Sequence, residues 1–216
     1  MPPYRILVLA AELIGTAAFS VSGVMTAAGH RLDIFGALVL GCVTSVGGGV
    51  LRDLLLGITP PMLFRDPIYF IVAAIVSLLF FLIEYFFGEK LNRQEKRFEL
   101  ILNLCDSLGL SVFVLIGVNS ALNAGFADNL FLTVFVGTIT GVGGGILRDM
   151  MAGQVPVILK RRIYAVAAIF GALFYYLLFI LSVPQLIAFP ISAILIFLIR
   201  ILAICFRWNL PRYPKH

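Results

Sequence analysis

Seven apolar runs, each about twenty residues or longer, occupy most of this 216-residue chain. An α-helix crosses the ~30 Å hydrocarbon core of a bilayer with ~20 residues, so each run has the length of a membrane span. The chain is 61% hydrophobic and 12% charged, far more apolar than a soluble domain. The sequence therefore predicts an all-α integral membrane protein. The predicted helices are Arg5–Ala28, Ile34–Ile58, Pro67–Phe87, Phe98–Leu122, Leu130–Gly153, Ile163–Leu181 and Pro184–Phe206.

Two long segments of the chain share one pattern of glycine, acidic and aromatic residues. The pattern E-x-x-G-x-x-x-F-x-x-x-G begins at Glu12, and D-x-x-G-x-x-x-F-x-x-x-G begins at Asp106. Further along, SVGGGVLRDLLLG begins at Ser45 and GVGGGILRDMMAG begins at Gly141. We therefore predict a single transmembrane domain over residues 1–216, with a first copy at about 5–87, a second copy at about 98–182 and an extra helix at about 184–206.

Each predicted copy has three spans, and an odd number makes the second copy enter the membrane from the opposite face. This predicts an inverted repeat with a pseudo-two-fold axis in the membrane plane, an architecture common among transport proteins. Cytoplasmic loops are rich in Lys and Arg, and thirteen of the sixteen basic residues fall on the C-terminal side of the seven spans. The sequence predicts an outside N-terminus and a cytoplasmic C-terminus.

The glycine triplets at 47–49 and 143–145 lie inside predicted helices. Each interior glycine costs ~1 kcal/mol relative to alanine, so a triplet predicts a kink or an unwound turn in the second and fifth helices. Freed carbonyls must avoid lipid, and they could coordinate a small cation. The predicted pore-lining and ion-binding residues are Gly47, Gly48, Gly49, Gly143, Gly144, Gly145, Thr44, Ser45 and Thr140. Close helix packing is the alternative, and it is the role expected for Gly15, Gly23, Gly109 and Gly117.

Ionisable residues inside a membrane usually face a cavity or a partner. Arg52 and Asp53 are adjacent on one helix, so we expect them to point apart and to pair elsewhere. Glu12 and Arg52 lie ~10 Å from the outer face, whereas Asp106 and Arg148 lie ~10 Å from the inner face. This depth pattern predicts a conduit between two charged layers; structural ion pairs without a path are the alternative. The predicted pore charges are Glu12, Arg52 and Asp53 in the outer layer and Asp106, Arg148 and Asp149 in the inner layer.

The doubled GGGVLRD and GGGILRD segments, in a chain of three plus three plus one spans, resemble the bacterial membrane family UPF0126. That family is similar to the prokaryotic trimeric intracellular cation (TRIC) channels and is also labelled a glycine transporter family. The resemblance implies a homotrimer in the bacterial inner membrane, with one potassium-preferring pore per subunit, kinks at both triplets and no cofactor besides permeant cations. Animal TRIC channels have a lysine-bearing motif in the first copy, so their lipid and regulatory sites are not carried over.

These observations predict a monovalent cation channel, with a secondary transporter of glycine or a similar zwitterion as the alternative. Arginines in the path oppose cation flow unless they swing toward an acidic residue, whereas Arg and Asp together suit a carboxylate and an ammonium. We expect no enzyme, because the sequence offers no nucleophile motif, metal-ligand cluster or cofactor motif. The net charge of +5 reflects orientation, so membrane lipid is an expected partner and nucleic acid is not.

Overall fold

The computed structural model describes residues 3–91, 95–160, 163–206 and 208. All regular elements among these residues are helices, so the predicted all-α class is confirmed. Seven of the helices are long and apolar enough to cross a membrane, and the other two have four residues each. The helices are α1 (Pro3–Gly29), α2 (Ile34–Leu55), α3 (Met62–Arg65), α4 (Ile68–Leu91), α5 (Glu95–Asn123), α6 (Leu130–Met151), α7 (Val157–Lys160), α8 (Ile163–Ile180) and α9 (Gln185–Cys205).

The spans end within a few residues of the predicted positions, and glycine explains the main difference. The sequence predicts that the second span reaches Ile58, but α2 ends at Leu55 because Gly57 adopts a positive φ of 70°. The Ile58 amide donates to the Asp53 carbonyl at 2.8 Å, which is the hydrogen bond of a Schellman helix end. Gly153 ends α6 in the same way, with a φ of 69°.

The charged stretch 88–99, predicted as a break between spans, is largely helical. α4 continues to Leu91 and α5 begins at Glu95, so both helices extend past their apolar segments. The orientation of the chain stays a prediction. Some of the basic residues on which it depends lie outside the described residues. These are Arg93, Arg161, Arg162, Arg207, Arg212 and Lys215.

The two glycine-bearing helices, α2 and α6, are continuous through both triplets. The unwound turn predicted there is wrong, and a kink stays a prediction. A Cβ atom at Gly48 would overlap the carbonyl oxygen of Thr140. Likewise, a Cβ atom at Gly144 would overlap the carbonyl oxygen of Thr44. The triplets therefore let two intact helices touch backbone to backbone, which is the packing alternative.

The contacts at this α2–α6 crossing are reciprocal, because position 48 meets 140 while position 144 meets 44. The two helices therefore cross antiparallel. α1 and α5 behave in the same way: a Cβ atom at Gly15 would lie 3.2 Å from the ring of Phe113, and Gly109 lies against Phe19. The two rings stack with centroids 5.4 Å apart. Such reciprocity is what a two-fold axis between the predicted copies requires.

The helices differ strongly in how much neighbouring protein covers them. Neighbouring parts of the protein bury 67% of the most apolar segment of α5, whereas they bury 11% of the most apolar segment of α4. α5 packs against α1, α6, α8 and α9 and therefore lies at the centre of the bundle. α4 lies at the periphery, where its apolar side chains face outward.

Candidate functional site: a charged cluster in each half

A buried cluster of charged side chains joins α5, α6 and α1. The guanidinium of Arg148 donates to Oδ1 of Asp106 at 2.8 Å and to Oδ1 of Asp149 at 2.9 Å. It also donates to the hydroxyl of Ser22 on α1. Arg148 is 1% exposed and both aspartates are 2% exposed, so the cluster is sealed on every side in this conformation. The three residues predicted for the inner layer therefore lie together, and their part in conduction stays a prediction.

Two residues that the sequence reasoning missed complete this cluster. Arg200 of α9 lies with its guanidinium carbon 4.5 Å from the centre of the Tyr164 ring, and its Nη2 lies 4.0 Å from Oδ2 of Asp106. The only available signal for Arg200 was a lone arginine within an apolar span. For Tyr164, the signal was an Ile-Tyr pair at 163–164 that repeats the pair at 68–69.

We refer to Asp106, Arg148, Asp149, Tyr164 and Arg200 as the second-copy site. The equivalent groups of the first copy, Glu12, Arg52, Asp53 and Tyr69, form the first-copy site.

The first-copy site is looser than the second-copy site. Arg52 donates through Nε and Nη2 to Oδ1 of Asp53, each at 2.8 Å. Glu12 accepts a hydrogen bond from the hydroxyl of Tyr69, and within the described part of the chain it has no basic partner at ion-pair distance. The predicted outer layer is therefore only partly assembled. The Arg52 side chain is 14% exposed, compared with 2% for Arg148.

The prediction that neighbouring Arg and Asp residues point apart is wrong in both copies. Arg52 bonds to Asp53, and Arg148 bonds to Asp149. Each pair lies in the last turns of its helix, where the long arginine side chain curls back over the carboxylate beside it. Adjacent side chains diverge at Cβ on a helix, but the length of an arginine is sufficient to overcome that divergence.

The second oxygen of each of these aspartates holds the loop that follows. Oδ2 of Asp53 accepts from the amide of Met62 at 2.8 Å, at the start of α3. Oδ2 of Asp149 accepts from the amide of Val157 at 2.7 Å, at the start of α7. The two short helices, which the sequence predicted only as loops, are therefore attached to the charged sites.

The third glycine of each triplet faces a charged site. A Cβ atom at Gly49 would lie 3.7 Å from Nη2 of Arg52. A Cβ atom at Gly145 would lie 3.1 Å from the Tyr164 hydroxyl and 3.7 Å from Nη2 of Arg148. Each triplet thus serves two faces of one helix: the middle glycine admits a neighbouring backbone, and the last leaves room for a guanidinium. Consecutive glycines are explained without an unwound turn.

The hydroxyl groups predicted to coordinate ions bond to backbone carbonyls instead. Thr44 donates to the Leu40 carbonyl at 2.5 Å, and Thr140 donates to the Val136 carbonyl at 2.6 Å. Ser45 donates to the carbonyl four residues earlier at 2.8 Å. All three side chains are buried at the helix crossings. Their role in ion binding stays a prediction, and it would require these hydroxyls to be released.

An open cavity of about 500 Å³ borders the first-copy site. It lies between the start of α1, the end of α5 and the start of α9. Glu12 lines it, together with Arg5, Ile116 and Asn119. Asn119 also donates to the Tyr4 hydroxyl at 2.7 Å, which fixes one polar wall of the cavity. Glu12, which has no basic partner at ion-pair distance in the described part of the chain, thus borders this open cavity.

One substitution between the copies accounts for part of this asymmetry. Ser22 follows Glu12 by ten residues and binds Arg148 across the two-fold relationship. The position ten residues after Asp106 is Ile116, which lines the cavity. An isoleucine offers no acceptor to Arg52, so the first-copy site lacks the bond that helps to close the second-copy site.

Comparison with known proteins places the chain in a family. A family model described as "Glycine transporter" matches residues 9–85 and, a second time, residues 103–179. The UPF0126 inner membrane protein YadS of Escherichia coli is 41% identical over 206 residues, which cover 94% of each chain. The chain belongs to the UPF0126 membrane protein family. A UPF0126 membrane protein of Vibrio cholerae is 38% identical over 203 residues, covering 94% of this chain and 81% of the relative.

This UPF0126 protein is also similar to solved channel structures. A prokaryotic TRIC channel in 0.5 M KCl superimposes with a TM-score of 0.85 and 30% identity, covering 95% of this chain and 100% of the channel. The TRIC trimeric intracellular cation channel orthologue from Rhodobacter sphaeroides gives a TM-score of 0.83 and 32% identity, covering 94% of this chain and 99% of the orthologue. The predicted family and fold class are therefore confirmed, and these structural neighbours are channels rather than enzymes.

Proposed function

We propose that this protein is a potassium-preferring channel for monovalent cations in the bacterial inner membrane, with one path in each subunit of a homotrimer. Its similarity to TRIC channels at 30% and 32% identity over nearly the whole chain supports the proposal. The observation that carries it within the molecule is Glu12, a carboxylate that has no basic partner at ion-pair distance among the described residues and that borders a cavity of about 500 Å³. Ionisable groups inside a membrane are retained where they line a substrate or ion pathway.

The first-copy site itself favours cations, and Arg5 on the cavity wall opposes this attraction ~10 Å further out. Within the first-copy site, Glu12 and Asp53 oppose one arginine, so the formal net charge is −1. A ring or cluster of carboxylates in a pore concentrates cations and repels anions. The glycine carbonyls stay within intact helices. We therefore expect carboxylate oxygens and some of the ion's own water molecules to coordinate it. The path would run from the cavity past Arg52 to the second-copy site.

Flux measurements test the proposed function. Purified protein in liposomes should pass K⁺, and it should exclude the large cation N-methyl-D-glucamine. Liposomes without protein measure the background leak of K⁺. Elution of the purified protein as a single species in size-exclusion chromatography shows that it is folded. Folded protein that passes no K⁺ under a membrane potential of either sign would contradict the proposal.

Neutralising Glu12 should weaken cation entry without unfolding the protein. Glu12→Gln keeps the shape of the side chain and its ability to accept from Tyr69, but it removes the charge beside the cavity. We expect K⁺ flux to fall by roughly tenfold, because an attraction of ~1.4 kcal/mol is lost from the entry site. Asp128→Asn is the matched control: it removes the same charge from an exposed loop at the same end of the bundle. Equal flux losses in the two variants would show that Glu12 has no special role.

A carrier for a small zwitterion is the second candidate. The family model is described as "Glycine transporter", and the cavity contains both an acid and a base. Arg5 and Glu12 lie seven residues apart on one face of α1, which is ~10 Å along a helix. Saturable uptake of labelled glycine, in the absence of K⁺ flux, would favour this candidate over the channel.

A further inference from the structure

The two charged sites differ in one component that comes from outside the repeat. α9 follows both predicted copies, and it contributes Arg200 to the second-copy site. Arg200 is 2% exposed, although it lies near the end of an apolar helix. Among the described residues, no helix outside the first copy contributes a charged side chain to the first-copy site. The cavity beside Glu12 lies between α1, α5 and the start of α9.

Arg200 changes the charge balance of the site that it enters. Asp106, Arg148 and Asp149 together carry a formal charge of −1, as their first-copy equivalents do. Arg200 brings the second-copy site to zero. The site with a net charge of −1 borders the cavity, which Arg5 also lines further out, and the site with the balancing fourth charge is sealed. This pattern indicates that Arg200 supplies the positive charge that would otherwise be supplied from solution.

The surroundings of the Arg200 guanidinium are those that attract a monovalent cation. One ring face of Tyr164 lies 4.5 Å away, and an oxygen of Asp106 lies 4.0 Å away. An aromatic face and a carboxylate both attract a desolvated cation, and neither is specific for a guanidinium. Asp106 has its closer partner in Arg148, at 2.8 Å. Removal of Arg200 would therefore leave an intact pair beside an unbalanced charge.

We infer that Arg200 is a tethered cation that occupies the position in the second-copy site where a permeating monovalent cation would bind. This inference rests on the proposed channel function and assigns a regulatory role to α9. When Arg200 leaves the site, the site regains its charge of −1 and can accept K⁺. When Arg200 returns, it displaces the ion and closes this part of the path.

α9 contains a feature that suits such movement. Pro190 lies inside the helix, ten residues before Arg200, or ~15 Å along the axis. A proline inside a helix removes one backbone hydrogen bond and permits a bend. A bend at Pro190 would tilt the segment that carries Arg200, and it would draw the buried Ile196 away from its contact with Gly171 of α8.

Substitutions at Arg200 test the inference by flux. Arg200→Gln should raise K⁺ flux roughly tenfold, because the blocking charge is removed, whereas Arg200→Lys should stay near the wild-type level. Adding Asp106→Asn to Arg200→Gln restores the net charge of zero, and it should return the flux to the wild-type level. Arg31→Gln, at an exposed turn, is the matched control for charge removal. Where the wild type passes K⁺, a flux through Arg200→Gln within twofold of the wild-type flux, or equal fluxes through the Gln and Lys variants, would overturn the inference.

A stability measurement tests the same inference without relying on conduction. An ion that binds the folded state raises the unfolding midpoint by mass action. The midpoint of Arg200→Gln in detergent should rise more than that of wild type when N-methyl-D-glucamine chloride is replaced by KCl. An equal rise in the two proteins would overturn the inference. Absence of flux in every variant would contradict the proposed function, and the comparison of midpoints would still decide whether Arg200 holds a cation position.

Discussion

Arg148→Gln should destabilise the protein much more than the equivalent change Arg52→Gln. Arg148 is the closest partner of two buried carboxylates, those of Asp106 and Asp149, and it also bonds to Ser22. Removing one member of a buried ion pair leaves uncompensated charge and costs ~3–5 kcal/mol. Unfolding of both variants by sodium dodecyl sulfate in mixed micelles measures the difference.

Arg52→Gln is a matched control because it makes the same chemical change at the equivalent position. The Arg52 side chain is 14% exposed and pairs with one buried carboxylate, that of Asp53, whereas Arg148 pairs with two. Removing Arg52 leaves one uncompensated carboxylate instead of two, so the loss of stability should be smaller. Equal losses of stability in the two variants would contradict the asymmetry described between the two sites.

Gly48→Ala should be the second strongly destabilising change. A methyl group at position 48 would overlap the carbonyl oxygen of Thr140, and backbone cannot rotate away as a side chain can. The two helices must separate, and overpacking of this kind costs ~1–3 kcal/mol. Gly144→Ala should cost a similar amount, because it meets Thr44 in the reciprocal contact. The double variant should lose less than the sum, since one separation of the helices relieves both overlaps.

Gly49→Ala, one residue further along the same triplet, is the control. The nearest atom to its new methyl group would be Nη2 of Arg52 at 3.7 Å, an ordinary contact distance. Helix propensity then dominates, and alanine should stabilise the helix by ~1 kcal/mol or less. If Gly48→Ala and Gly49→Ala have the same effect on unfolding, the two roles assigned to the triplet are wrong.

Much of the fold follows from the sequence because its signals are long. Seven apolar runs of membrane-spanning length predict the seven long helices, and the doubled glycine and charge pattern places Asp106 near Arg148. The spacing of glycines within each helix indicates close packing at Gly15 and Gly109, and the structure shows that both lie where α1 meets α5. These predictions depend on periodicity and depth, which survive small errors in the position of each helix end.

The sequence did not predict contacts for which a residue has more than one possible partner. A glycine triplet is compatible with both an unwound turn and a backbone contact, and only the approach of α6 to α2 decides between them. The bond from Arg52 to Asp53 depends on the rotamer of a long side chain rather than on helical spacing. Arg200 was missed as a site residue because α9 has no counterpart against which to compare it.

The two copies share a framework and differ in how they hold charge. Each copy has an acidic residue, an arginine, an aspartate beside that arginine and a tyrosine. The aspartate beside the arginine accepts a hydrogen bond from the start of the short helix that follows. Ser22 and Arg200 close the second-copy site, whereas Ile116 and the cavity leave the first-copy site partly open. Under the channel proposal, one accessible site and one sealed site correspond to a closed state that needs a local rearrangement to conduct.

Electrical recording from the purified protein in a planar bilayer, under a gradient of KCl, tests the channel proposal most directly. We expect unitary currents whose reversal potential lies close to the equilibrium potential of K⁺, since the carboxylates along the path select cations. A reversal potential at the chloride equilibrium, or saturable glycine uptake by folded protein that shows no unitary current, would contradict it.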